Sequence, residues 1–489
     1  MLTAVLLFLP LAAALLLHFT KGGTARALAL GASLVEFGLA VYAAVQFKLQ
    51  GAAGFDLNYA WIPSFGINFH VGMDGLSLLL VLLTTFLVPI ILLTAFKHDY
   101  HNPSAFYALV LFMQTGLIGV FTSLDAFLFY FFWEVALIPI YFLAGVWGSS
   151  ERRIPITFKF FIYTMVGSLF MLAGFVYLYL QTGPAAGSLA AHSSELSAFY
   201  NLKLSAAEQS WLFWLIFAAF AVKMPVFPFH TWQPDTYTES PAPATMLLSG
   251  IMLKMGVYGA MRWLLPVVPL GVSQWGKVVM ILAVIGILYG AIIAIRQRDV
   301  KRLIAYSSLS HVGLMAAGLF SLTQIGLQGT VVQMLAHGVN VVGMFFIADA
   351  LERRTGTRLI ADLGGLTRRT PVLTVCFLVM LLSTVALPLT GGFVGEFLLL
   401  AGVYQYNAWM GAVAALTIIF SAVYLLRMFQ RVMLGPDSSH SETITDLTGG
   451  ELLIMVPLIV LVFWLGLFPN SFLHISEPAI QQLLTLAGR

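Results

Sequence analysis

The sequence predicts an all-α integral membrane protein of about fourteen transmembrane helices, and three observations predict it. Only 9% of the 489 residues are charged and 60% are hydrophobic, whereas soluble domains carry about 25% charge; so few charges cannot cover a water-facing surface. Apolar runs of about 20 residues recur from end to end, each long enough to span a bilayer core as a helix. Basic residues concentrate in alternate loops, as they do when successive segments cross a membrane. Lipid offers no partner to free backbone groups, so the spanning segments are helices or a closed barrel, and these runs are too long and too uniformly apolar for barrel strands.

The first run, MLTAVLLFLPLAAALLLHF, resembles a signal peptide. It has no basic residue ahead of its apolar stretch and no clear small-residue cleavage site, so it reads as a retained first helix over 2–18. Helices two to six follow at 26–46, 75–96, 104–121, 124–147 and 156–180. Helix seven, 209–230, contains AAFAVKMPVFPFH, with Pro225 and Pro228 inside the span; proline removes a backbone donor, so the helix is broken there. Helices eight to eleven read at 242–264, 275–295, 303–320 and 327–351. Helix twelve, 372–400, contains TVALPLTGGFVGEF, where Pro388, Gly391, Gly392 and Gly395 permit local unwinding. Helices at 408–433 and 451–469 complete the set. The longest polar stretches are 47–74, 181–208 and 434–450, and no long hydrophilic domain interrupts the pattern.

Loop charge tests this count. Loops after odd-numbered helices hold 17 lysines and arginines, among them Arg296, Arg298, Arg353, Arg354, Arg427 and Arg431, and loops after even-numbered helices hold 4: Lys48, Lys203, Arg262 and Lys277. The odd loops are therefore cytoplasmic and both termini lie outside. The two broken helices are five apart, which suggests five-helix units 4–8 and 9–13. Five is odd, so the second unit starts from the opposite side and is inverted, and paired broken helices in inverted halves mark a transporter core. No repeat is obvious by letter. The chain divides into N-terminal helices (1–103), a first unit (104–265), a second unit (274–433) and a C-terminal loop and helix (434–489).

Several classes are excluded. The single cysteine, Cys376, lies in an apolar run and reads as a small buried residue; there is no CxxC pair and no haem-attachment motif. The histidines show neither HxxxH nor HExxH spacing, which argues against a metal site. No Walker loop or dinucleotide fingerprint is present, so neither ATP-driven nor hydride-transfer chemistry belongs to this chain alone. The net charge of +3 is spread over short loops rather than one patch, which argues against nucleic acid.

What remains is a set of ionisable residues inside apolar spans: Glu134 in helix five, Lys223 in helix seven, Lys254 in helix eight, His311 in helix ten, His337 in helix eleven and Glu396 in helix twelve. Centring one charge in a bilayer costs about 2.5–3.5 kcal/mol on insertion scales. Six of them would be a heavy penalty unless they face one another or water, and together they supply what a row of proton relays needs. Each has a blander alternative. The lysines have long stems that could snorkel, although Lys254 sits about 12 residues into its helix. Glu396 could brace a free amide at the glycine-rich break, and the histidines could simply bridge helices. His230, at the end of helix seven, reads as interfacial, and Glu36 in helix two lies outside both units and stays unassigned.

FFWEVALIPIYFLAGVWG, AVKMPVFPFHTWQPD, LLSGIMLKMGVYG, RLIAYSSLSHVG, QMLAHGVN and GGFVGEF, in this order over residues 70–435, resemble the antiporter-like subunits of respiratory complex I. The resemblance implies that Glu134 pairs with Lys223, that Lys254 is the central relay, that His311 and His337 are relay histidines, and that Glu396 is the terminal site. In the L and N branches that last site is usually lysine, so glutamate points to the M branch of NADH–quinone oxidoreductase, the counterpart of mitochondrial NADH dehydrogenase subunit 4. L's long lateral helix is also absent. The loop HTWQPDTYTESPAPATM departs from the family pattern and leaves the core assignment alone. The resemblance further implies proton translocation in a bacterial inner membrane, driven by quinone reduction elsewhere. This chain would hold no cofactor of its own. Flavin, iron–sulfur clusters and quinone would sit in partner subunits, and subunits L and N would be neighbours within the lipid. Two alternatives stay open: a subunit of a multisubunit sodium–proton antiporter or membrane-bound hydrogenase, and a structural membrane spacer.

Overall fold

A computed structural model describes residues 1–183 and 191–488. The molecule is nearly all helix: α1 (Leu2–Leu17), α2 (Gly22–Gln50), α3 (Gly75–Ala95), α4 (Pro103–Thr122), α5 (Ala126–Trp147) and α6 (Arg153–Gln181) precede α7, which is broken into Ala206–Lys223 and Gln233–Glu239. Then come α8 (Ala242–Leu264), α9 (Pro269–Ile295), α10 (Val300–Phe320) and α11 (Gln324–Thr355). Next is α12, broken into Pro371–Thr384 and Gly391–Tyr406, followed by α13 (Ala408–Met433), α14 (Gly449–Leu467) and α15 (Asn470–Leu486). Eleven of these helices are long and apolar enough to cross a membrane, while α1 and the first half of α12 are shorter apolar helices. A helix apolar on all sides belongs inside a bundle or in lipid, and both cases occur. The apolar spans of α8 and α11 are fully buried and α10 nearly so, whereas α2, α13 and α14 expose most of theirs.

Both breaks fall where the prolines and glycines predict them. Lys223 closes the first half of α7, and Pro225 and Pro228 lie in the non-helical link. Pro388 lies in the link of α12, flanked by Ala386 and Leu389 in the left-handed region, at φ 65° and 78°. The second half of α12 lies tight against α11. A Cβ at Gly395 would fall 2.1 Å from Gln333 Oε1 and 3.0 Å from Gln333 Cα on α11, and one at Gly392 would fall 1.9 Å from the Ser383 carbonyl oxygen in the first half of α12, so glycine lets the second half pack closely against both.

The polar stretch 47–74 is not simply a loop. It forms an antiparallel hairpin, β1 (Leu57–Ile62) with β2 (Ile67–Val71), that pairs Leu57 with Val71 and Ile62 with Ile67. His70 on β2 is held between Asp56, at 2.9 Å, and Glu195 in the connection between α6 and α7. Burial alone would lower His70, but the two carboxylates outweigh it and hold the imidazole above its ordinary range. Burial alone would raise Glu195, and His70 and Asn68 hold it below. The stretch 181–208 also contains a short helix, Leu196–Tyr200, while 184–190 lie outside the described residues. Helix α15 was not anticipated, because its sequence is amphipathic rather than continuously apolar.

One backbone arrangement occurs twice, five helices apart. Asp125 caps the N-terminus of α5, accepting from the amides of Phe127 and Leu128, and Asp299 caps α10, accepting from Arg302 N. Asp125 forms an antiparallel bridge with Glu195, after α6, and Asp299 forms one with Leu359, after α11. The hydrogen bonds match one for one. Ala126 N donates to Ser194 O and Leu196 N to Leu124 O, both at 2.8 Å, as Val300 N donates to Arg358 O at 3.0 Å and Ile360 N to Arg298 O at 2.8 Å. The second carboxylate oxygen is held by the residue before the bridge in each case, the Ser194 hydroxyl in one and Arg358 Nε in the other.

Candidate functional site

Lys254 lies in the middle of α8 just after a wide π-helical turn, Leu248–Met252. It is fully buried. Its Nζ donates to the Ser249 carbonyl oxygen at 2.6 Å, five residues back and inside that turn, and contacts His337 Nδ1 at 3.0 Å. The other nitrogen of His337 meets Ser308 Oγ of α10 at 3.0 Å. The His337 ring stands 6.2 Å from that of His311, centre to centre. His311 Nδ1 then approaches Glu396 Oε1 to 2.8 Å. That separation suits an ion pair, but the donor direction is poorly aligned for a hydrogen bond, so neither atom counts as hydrogen-bonded. Lys254, His337, His311 and Glu396 are all at most 2% exposed, and they run as one file across α8, α11, α10 and α12.

The structure thus brings together four of the six anticipated residues and reorders them. His337, second of the histidines in sequence, is first after Lys254. Glu134 and Lys223 lie at the other end. Lys223 is 1% exposed and its Nζ has no hydrogen-bond partner; it sits 5.2 Å from the centre of the Trp133 ring, a favourable place for a cation. Glu134 is half-buried, its Oε1 is also without a partner, and no ion pair joins it to Lys223 in this conformation. His230 is 4% exposed in the link of α7, stacked on Phe227 and edge-on to Tyr289. Glu36 is fully buried on α2, and both its oxygens lack partners.

Ser308 is the residue the sequence did not single out. The available clue was its place three residues before His311 in YSSLSH, on the same helical face. Next to it, Ser307 accepts from the Tyr424 hydroxyl of α13 at 3.0 Å. Among the described residues, no group of three or more His, Cys, Asp or Glu could hold a metal ion.

Buried amine, imidazole and carboxylate groups threaded between broken helices belong to a membrane protein of the antiporter type. The chain belongs to the NADH:quinone oxidoreductase/Mrp antiporter transmembrane family, whose model matches residues 123–421. It is 37% identical to the NADH-quinone oxidoreductase subunit M of Rickettsia prowazekii, over 98% of each chain. It is 36% identical to the NADH-ubiquinone oxidoreductase chain 4 of Marchantia polymorpha, over 94% of this chain and 91% of the other. Its fold matches a chain of respiratory complex I from Thermus thermophilus with a TM-score of 0.92, at 32% identity and full coverage of both. The M-branch resemblance read from the motifs is borne out.

Proposed function

We propose that this chain is the M-type proton-translocating subunit of an NADH–quinone oxidoreductase, and that protons pass through Glu134, Lys223, Lys254, His337, His311 and Glu396. The observation that carries the reading is the file of contacts from Lys254 through His337 and His311 to Glu396, three of its four members standing on the almost fully buried helices α8, α11 and α10. Relatives at 36–39% identity are named subunit M or chain 4, which favours this reading over a sodium–proton antiporter or a spacer. On it, the redox groups reside in partner subunits, L and N are membrane neighbours, and the chain crosses a bacterial inner membrane fourteen times with both termini outside. The matched aspartate-capped bridges at Asp125 and Asp299 support two inverted units, 104–265 and 274–433.

The chemistry follows from charge in a low-dielectric interior. Moving one charge through about 150 mV costs roughly 3.5 kcal/mol, equivalent to a change in proton affinity of about two to three orders of magnitude. Separating the Glu134 carboxylate from Lys223 removes an attraction that helps hold the proton, and so favours its release. Lys254 receives it. His337 accepts through Nδ1 while Ser308 steadies the opposite nitrogen. His311 passes the proton on to Glu396. Quinone reduction in partner subunits drives the swings. Proton uptake by vesicles carrying the assembled complex, compared between wild type and Lys223→Met, tests the reading. Uptake falls at an unchanged amount of complex if it holds, and unchanged uptake overturns it.

A further inference from the structure

At the end of the bundle where α9 finishes and α13 ends, a polar hollow of about 430 Å³ opens. It is lined by Arg296 and Arg298 from the link after α9 and by Arg427 and Arg431 from α13, with Tyr424 buried among its walls. No acidic residue lines it. All four arginines are exposed, and no side chain among them makes an ion pair or a hydrogen bond within the described chain. Other arginines on this side of the molecule do find carboxylates: Arg302 meets Asp235, Arg353 meets Asp349 and Glu451, Arg354 meets Glu451, and Arg358 meets Asp299. A preference for basic loops on one side explains why arginines are present. It does not explain why these four gather unpaired around one cavity, with Arg427 and Arg431 repelling each other one turn apart.

We propose that this hollow seats the phosphate headgroup of an anionic phospholipid. Guanidinium groups converging from two segments suit a phosphate, whose oxygens accept paired N–H donors, and basic pockets between membrane helices attract such headgroups. A lipid rather than a free phosphate is indicated by what lies beside the hollow. Helices α9 and α13 pack together there and expose Ile292, Val423 and Leu426 at 51%, 45% and 44%, an apolar strip leading from the arginines along which acyl chains can lie. The lipid sits beside the relay as well as on the surface, because Tyr424 at the hollow donates to Ser307, the neighbour of Ser308.

The test uses the assembled complex in phosphatidylcholine vesicles doped with a photoreactive phosphatidylglycerol, with labelled peptides identified by mass spectrometry. Labelling of α9 and α13 is expected in wild type, to be lost by about thirtyfold in the double variant Arg296→Gln, Arg427→Gln, two basic residues' worth of attraction at a charged surface. It is expected to survive largely in Arg296→Lys, Arg427→Lys, and to be unchanged in Arg26→Gln, Arg152→Gln, which alters exposed arginines at the starts of α2 and α6. The lysine variant keeps the test valid if the glutamine variant fails to assemble, because labelling in wild type and lysine variant must then exceed that by a photoreactive phosphatidylcholine. Equal labelling by the phosphatidylcholine probe, or undiminished labelling in the glutamine variant, overturns the proposal. Displacement of the lipid by inorganic phosphate overturns the lipid source, and labelling of the detached chain but not of the complex would assign the hollow to a protein partner.

Discussion

Replacing Lys254 by methionine keeps the length of the side chain and removes both its charge and its proton. In the structure this leaves the Ser249 carbonyl oxygen and His337 Nδ1 without the amine they share at 2.6 and 3.0 Å. Losing a partner costs a buried polar group about 1–3 kcal/mol, but the cost of burying an ammonium disappears at the same time, so the fold should persist. Proton transfer suffers more. Without the amine, a proton crossing between Lys223 and His337 has no basic group to rest on in an apolar span. A cost of about 2.5–3.5 kcal/mol for an uncompensated charge there slows passage roughly 70- to 400-fold. The assay is dye-reported acidification of inside-out vesicles on addition of NADH, normalised to assembled complex on native gels. Lys254→Arg separates charge from titration: it keeps the positive charge but does not release its proton at physiological pH, so it should assemble and pump as poorly as methionine. Normal pumping by the arginine variant would refute the relay assignment, and normal pumping by both would reduce Lys254 to a packing residue.

Cysteines placed in 296–302 and 353–369 should be labelled by an impermeant reagent only from the cytoplasmic side and those in 191–208 only from outside; labelling of all three from one side breaks the fourteen-span reading. Ser308→Ala should slow pumping by about two- to thirteenfold, the worth of one neutral hydrogen bond of about 0.5–1.5 kcal/mol, and wild-type rates would remove Ser308 from the path. The His70–Glu195 contact should make protection of the hairpin 57–71 from hydrogen exchange pH-dependent. His70 is raised and Glu195 lowered, so the contribution is fully present between about pH 4.5 and 6.5. It is lost as pH rises through the raised value of His70, and again as pH falls through the lowered value of Glu195. Glu195→Gln should flatten the profile, and an unchanged profile in that variant would show that the pair does not hold the hairpin.

The interior charges and broken helices were legible because each violates a strong local rule: Lys254 and Glu396 place charge where apolar residues belong, and Pro225 and Pro388 place helix breakers inside spans. Such violations survive only where the three-dimensional structure compensates them. The order of the relay was not legible. His311 precedes His337 in sequence, but which helix stands beside Lys254 is decided by packing, and α11 places His337 there. The hairpin at 57–71 escaped because β1 is exposed along nearly its whole length, so no alternation of buried and exposed positions marks it as a strand. The backbone arrangement shared by Asp125 and Asp299 escaped letter comparison because Ser194 and Arg358 fill the same place in it with different chemistry.

That last asymmetry bears on Glu396. The backbone hydrogen bonds of the two breaks match, Met224 N to Phe220 O and Val226 N to Ala221 O in α7 against Val385 N to Leu381 O and Leu387 N to Leu382 O in α12, so the position of Lys223, last residue of its half-helix, is held in α12 by Thr384. Glu396 is therefore not the counterpart of Lys223. It lies past the break, five residues into the second half of α12, roughly 7.5 Å along the helix axis. On the proposed topology that half faces outside, which suits a terminal release site. A relay and a brace then respond differently to substitution. Glu396→Gln removes titration with little change of shape, Glu396→Asp keeps titration but shortens the reach toward His311 from its present 2.8 Å, and Glu396→Lys titrates with inverted charge beside an imidazole. A relay loses most pumping in the glutamine variant, keeps much of it in aspartate, and falls between in lysine. A brace tolerates glutamine, which still accepts a hydrogen bond, and fails to assemble with lysine. A glutamine variant that pumps normally while lysine fails to assemble would make Glu396 structural and move the end of the path to His311.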